Sequence, residues 1–246
     1  MTTSDSGMPL VLMYHSVDRY RSDPYRITVR PTRFDQQMRW LWRRGLRGVS
    51  MRQLLEAHRQ GAAAGLVGLT FDDGYADFLE HVTRTLSWYG FTGTVFAVAG
   101  RLGGVNEWDS DGPRKKLMTA KALRTIVTLG NEVGSHGMLH TRLPTAGDSE
   151  IWTEIMRSRT ILESIIEAPV TGFCYPYGAV DGQTITAVRD AGYDYACAVT
   201  HSDLDGRFAI PRTYVGDRDK TLRLTAKVLR HGLAMRRTRL ELGVPG

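Results

Sequence analysis

Asp72 and Asp73 stand side by side before Gly74, directly after the apolar run 67–71. Adjacent carboxylates repel, and successive strand side chains point to opposite faces, so each acid needs a task of its own. One can ligate a cation while the other takes a proton; alternatively, either can cap the helical pattern that follows. A second cluster is Ser135-His136-Gly137-Met138-Leu139-His140, behind the run 132–134. Histidines at this spacing face the same way on a helical turn and offer two imidazole nitrogens to one ion. A zincin helix is excluded, because Gly137 stands where H-E-x-x-H requires Glu. Asp73, His136 and His140 together form a His₂-carboxylate set with positions left open for water, the pattern of a catalytic zinc site. Three single residues complete the inventory. His15, after the run 10–14, stands at a strand terminus, a location that suits a general acid. In Tyr175-Pro176-Tyr177-Gly178 the Pro and Gly turn the chain and leave backbone N–H groups to face a ligand. Arg212 follows the short apolar run 208–210, where an arginine is most often a surface ion pair.

Parallel strands alternating with helices would bring such residues together. Short, near-continuous apolar runs at 10–14, 67–71, 94–99, 132–134, 172–175, 195–199 and 208–210 have the character of strands buried on both faces. Helical spacing occupies 32–44, 51–60, 75–89, 119–129, 149–167, 183–191 and 221–233. Gly45, Gly61, Gly90, Gly130 and Gly192 follow these patterns where helices stop. The alternation predicts an α/β fold, either a barrel or an open doubly wound sheet, with its chemistry at the carboxyl ends of the strands. No G-x-G-x-x-G follows the first strand and no P-loop motif occurs, so a nucleotide cofactor has no support.

Composition agrees. With 42% hydrophobic and 24% charged residues, the chain is globular rather than disordered. Cys174 and Cys197 cannot build a disulfide framework and read as core residues. Net charge is +6, but the basic residues concentrate at 39–52 and 218–239 on helical patterns, where solvated faces account for them. No nucleic-acid partner is therefore expected, whereas the basic C-terminal helix suits weak association with a charged surface. Residues 1–8 form a polar tail without a positive n-region, and the apolar run 9–13 is too brief for an export signal or a membrane span. A cytoplasmic protein is expected, with a core domain over 9–217 and a basic helix and tail over 218–246. Trp40, Trp42 and Trp88 sit on helical patterns and read as core. Trp108 lies in the Gly-rich, polar stretch 103–114, which reads as a lid or rim loop.

Thr70-Phe71-Asp72-Asp73-Gly74, then Ser135 to His140, then Tyr175-Pro176-Tyr177-Gly178, in this order, resemble the motifs of the polysaccharide deacetylases of carbohydrate esterase family 4. The resemblance covers roughly residues 9–215. It implies a distorted (β/α) barrel of about seven strands, a divalent metal that is usually Zn²⁺, and removal of N-acetyl groups from an amino sugar or glycoconjugate. By the resemblance Asp72 is the base, Asp73, His136 and His140 are the metal ligands, and the Tyr177 N–H is an oxyanion donor. Two departures stand out. Cys174 occupies the place of an arginine that the family sets beside its catalytic aspartate, and no Leu-x-His strand follows residue 199. Leu12-Met13-Tyr14-His15 is similar to that missing element, as in the circularly permuted poly-N-acetylglucosamine deacetylase branch, which makes His15 the acid and His201 its competitor. Arg212 is the expected substitute for the arginine. Amidohydrolysis or deformylation of a non-sugar substrate, or a catalytically idle carbohydrate-binding barrel, are the rival readings.

Overall fold

The computed structural model describes residues 8–199 and 206–241. In chain order the strands are β1 (Val11–Tyr14), β2 (Ser16–Val17), β3 (Thr28–Val29), β4 (Arg47–Val49), β5 (Leu66–Phe71), β6 (Thr94–Ala97), β7 (Glu132–Ser135), β8 (Gly172–Cys174), β9 (Tyr195–Cys197) and β10 (Thr213–Tyr214). The α-helices are α1 (Pro31–Trp42), α2 (Met51–Arg59), α3 (Thr83–Tyr89), α4 (Ala120–Thr128), α5 (Asp148–Trp152), α6 (Ser158–Ile166), α7 (Gly182–Asp190) and α8 (Thr221–Glu241). The main sheet runs β10-β1-β5-β6-β7-β8-β9, with every pairing parallel. β4 pairs the first half of β5 on the edge where β6 pairs its second half. The segment after β9 curls back: Ala198 N–H donates to Ile210 O, Ile210 N–H to Ala196 O, and Val215 N–H to Met13 O. The two ends of the sheet are thus stitched together into a barrel.

The period-2 alternation of strand side chains explains the interior. Val11, Phe96, Cys174, Tyr195, Cys197 and Ile210 form one buried cluster, separate from the larger core that lies between strands and helices. Room for the two interior rings comes from glycine: a Cβ on Gly134 would come within 2.5 Å of Phe96, and one on Gly172 within 2.2 Å of Tyr195. α2 closes the bottom. Its Arg52 N–H donates to buried Glu132, which also accepts from Thr94 Oγ1 and the Tyr195 hydroxyl, an anion placed at a helix N-terminus. Ser50 and Gln53 form the capping box that starts this helix.

Several boundaries differ from expectation. The strand expected at 208–210 is a single bridge, Ile210 to Cys197, and the last strand lies beyond Arg212. β2, β3 and β4 are too short for a hydrophobic pattern to announce. The helix expected from residue 75 begins with a π turn at Phe78–Val82, and Asp77 just before it accepts from Ser16 Oγ–H and Val17 N–H instead of capping the helix. The expected helix 149–167 is helical but carries a π turn at Thr153–Arg157. Trp40 is buried, whereas Trp42 and Trp88 are exposed and correct the core assignment. The helix stops hold: Gly45, Gly61, Gly90, Gly130 and Gly192 all have positive φ. No described helix is long and apolar enough to cross a membrane.

Candidate active site

Alternation carries the expected residues to one place. Residues 68, 70 and 72 share the inner face of β5, and the same register puts 132, 134 and 136 and then 172 and 174 inward on β7 and β8. Their upper ends meet Arg212, which enters from the closing segment with its side chain fully buried. Its guanidinium forks onto Asp72, Nη1 to Oδ1 at 2.6 Å and Nη2 to Oδ2 at 2.8 Å. The remaining donors reach Ala198 O at 3.0 Å, Thr70 Oγ1 at 3.1 Å and Cys174 Sγ at 3.0 Å. Cys174 is therefore an acceptor within the site and more than core filling. Burial opposes charge on Asp72, but the Arg212 guanidinium outweighs it and holds the carboxyl below its ordinary range. His15 Nε2 stands 4.0 Å from Asp72 Oδ2. Neither acid caps a helix.

Asp73, His136 and His140 form the second group, all buried. Both imidazole Nε2 atoms lie 3.3 Å from Asp73 Oδ1, an oxygen that takes no hydrogen bond. Ligand atoms about 2.0 to 2.1 Å from one tetrahedral ion stand roughly 3.3 to 3.4 Å apart, so the spacing fits a zinc-sized cation. His136 Nδ1–H donates to Cys174 O at 2.8 Å, which leaves the Nε2 lone pair free for an ion. His140 is held by rings instead: Trp108 stacks on it with centroids 4.5 Å apart, and the Tyr177 ring meets it edge-on at 4.5 Å. Burial opposes charge on Asp73 too, and the two imidazoles more than compensate, leaving its carboxyl well below the usual range.

The turn between the histidines is not helical, contrary to the expected geometry. Gly137 has φ 80° and His140 has φ 68°. Of the five non-glycine residues with positive φ among the described residues, three are Asp73, His140 and Tyr177, so backbone strain concentrates here. Buried Glu154, on the π turn, was invisible to the sequence reading and holds that histidine turn. It accepts Met138 N–H at 2.7 Å, Leu139 N–H at 3.1 Å and the Thr141 hydroxyl at 3.1 Å. A Cβ on Gly137 would come within 2.5 Å of the same carboxylate. In Glu154→Gln one acceptor oxygen becomes an NH₂ facing N–H donors. We expect a stability loss of about 1–3 kcal/mol and divalent-cation affinity lowered about 10- to 100-fold. Zinc titration beside a denaturant melt checks this; unchanged affinity would mean that the turn holds itself.

Asp109 is a second residue that the sequence reading missed. It lies on the rim beside Trp108, and burial together with the Asp73 charge pushes its carboxyl up. Only its place in a polar stretch beside Trp108 hinted at it. His201, the competing acid, lies outside the described residues.

A curled parallel barrel with an Asp-His-His cluster at its carboxyl end defines a class that comparison with known proteins identifies. The family model described as polysaccharide deacetylase matches residues 59–196, more than half of the chain, and the chain belongs to that family. YxkH of Bacillus subtilis (strain 168), named for the same family, is 24% identical over 185 residues, 74% of this chain and 61% of that one. The poly-beta-1,6-N-acetyl-D-glucosamine N-deacetylase of Escherichia coli (strain K12) is 25% identical over 221 residues, 75% of this chain and 33% of the relative. The chain thus spans less than two thirds of the length of either relative. Its fold matches the Streptococcus pyogenes deacetylase PplD in complex with acetate, with TM-score 0.76 and 21% identity over 89% of this chain and 97% of that one. It also matches IcaB from Ammonifex degensii, with TM-score 0.71 and 21% identity over 89% and 96%. The E. coli relative and IcaB agree with the permuted branch read from the first strand.

Proposed function

We propose that the protein hydrolyses the N-acetyl amide of an amino sugar or of a glycoconjugate that carries one. The observation that carries the reading is the pairing of two carboxylates with opposite partners: Asp72 clamped by Arg212, Asp73 set between His136 and His140. Asp73, His136 and His140 would hold a divalent cation, Zn²⁺ by its preference for nitrogen and carboxylate ligands; when bound it polarises the amide carbonyl and lowers the pKa of water. Asp72, ionised and oriented by Arg212, takes the proton of the attacking water. The Tyr177 backbone N–H donates to the developing oxyanion. His15, near Asp72 and 18% exposed on its side chain, gives a proton to the departing amine.

Acetate release from acetylated glucosamine oligomers, with metal analysis of the same protein, tests the reading. His136→Ala should lose cation and activity together; unchanged metal content would reject the ligand set. His15→Ala should keep its cation and lose about 10²- to 10⁴-fold, most for substrates with poor amine leaving groups. If His201→Ala showed that selectivity instead, the acid would be misassigned.

A further inference from the structure

We propose that the barrel mouth carries a cationic subsite for a phosphoryl group on the substrate, formed by Arg26, Arg218, Arg223 and Arg230. The inference rests on the amino-sugar deacetylase reading and adds the charge of its substrate. A cavity of about 510 Å³ opens between the β2–β3 loop, the segment after β10 and α8; those four arginines line it with Tyr20 and Tyr214.

Three carboxylates also border the cavity, and each is already engaged. Asp23 accepts Ile27 N–H at 3.1 Å and Thr28 N–H at 3.0 Å. Asp217 pairs with Arg30 at 2.5 Å and accepts the Tyr20 hydroxyl at 2.9 Å. Asp219 pairs with Lys227 at 2.5 Å and accepts Gly216 N–H at 2.9 Å. Among the described residues, no ion pair neutralises Arg26, Arg218, Arg223 or Arg230. Four guanidinium groups thus line one cavity in which Asp217 and Asp219 are ion-paired and Asp23 alone keeps an unpaired charge, so the lining stays net positive and favours an anion from outside. Guanidinium forks match phosphate oxygens in geometry as well as charge. The cavity is far larger than a bare phosphate and falls in the range of about 300–1,000 Å³ that holds whole small ligands. The two tyrosine rings supply walls for a sugar.

Placement ties the subsite to the reacting centre. β2 begins directly after His15 and leads into the loop that supplies Tyr20 and Arg26, while Tyr214 follows Arg212 by two positions. Both segments leave the carboxyl ends of barrel strands, the end that holds Asp72 and Asp73. Tyr25, in the same loop, accepts the Asp111 N–H of the rim segment at 3.3 Å.

The test uses the full chain and two readouts. Calorimetry should show N-acetylglucosamine 1-phosphate binding about tenfold or more tightly than N-acetylglucosamine, a preference erased in Arg26→Gln/Arg223→Gln/Arg230→Gln and weakened by salt. Acetate release should favour an oligomer with a terminal phosphate over the neutral one, and the triple variant should lose that preference while keeping the neutral rate. Equal binding of both sugars by the unaltered protein, or a preference that survives the triple substitution, overturns the proposal. Arginine-dependent capture by phosphatidylglycerol vesicles without any binding of the sugar phosphate assigns the anion to a lipid surface and overturns it as well. Phosphate-dependent binding with no acetate release from any acetylated sugar sinks the deacetylase reading and with it the substrate assignment. Neutral turnover without phosphate preference sinks the subsite alone.

Discussion

Asp72→Asn is expected to keep its fold and its divalent cation while turnover falls by about 10²- to 10⁴-fold, the range that general bases contribute. The change is nearly isosteric and removes the carboxylate that would accept water's proton. It leaves Asp73, the next residue and the one set against His136 and His140, chemically unchanged. The amide also presents an NH₂ to one nitrogen of Arg212, where Asp72 now receives two donors at 2.6 and 2.8 Å. Some stability is lost for that reason, so a thermal melt must accompany the assay. Metal content at wild-type level with turnover near wild type would exclude Asp72 as the base. Loss of metal in Asp72→Asn would instead place this carboxylate among the ligands, and its neighbours make that outcome worth measuring: Asp72, His136 and Cys174 also lie within ligand reach of one another.

The positions of the candidate site residues are legible because strand ends are legible. Val67 to Phe71 is an apolar run with polar residues at its end, and the rule that chemistry sits at the carboxyl ends of parallel strands selects Asp72, His136 and His15 from the sequence alone. The barrel was harder to separate from an open sheet. Closure depends on a single bridge at Ile210, inside the short apolar run 208–210, and on a two-residue strand at Thr213–Tyr214 too short to leave a pattern, and neither says which strand it would pair. The histidine turn misled for a different reason. Helical spacing and a strained loop both bring His136 and His140 together, and only the positive φ of Gly137 and His140 distinguishes them. Glu154 was hidden by periodicity itself: a π turn shifts the face of the helix, so a carboxylate that should be solvated points inward. In the rim stretch, Trp108 stacks one face on His140, a contact that no spacing in the sequence announces.

Arg212→Met should move the acidic limb of the kcat/KM profile upward by about 1 to 3 pH units. In the unaltered protein burial opposes the Asp72 charge and the guanidinium overrides it, so the folded-state pKa lies below the unfolded one. Such a group contributes stability at pH values above its unfolded pKa, lost as pH falls through the folded value. Taking the cation away leaves burial in command, and the pKa rises above the unfolded value. The linkage then reverses: stability is retained in acid and lost as pH climbs through the new, higher pKa. Near neutral pH the variant should be about 3–5 kcal/mol less stable, the usual cost of stranding one member of a buried pair. Arg212→Lys separates charge from geometry. Its ammonium keeps Asp72 ionised, so the limb stays near its original position, while the fork onto both carboxylate oxygens is lost and kcat falls. Two outcomes exclude the assignment. An acidic limb unmoved in Arg212→Met, with metal content unchanged, means that Asp72 does not set that limb; a kcat in Arg212→Lys equal to that of the parent means that only charge matters and the bidentate clamp orients nothing.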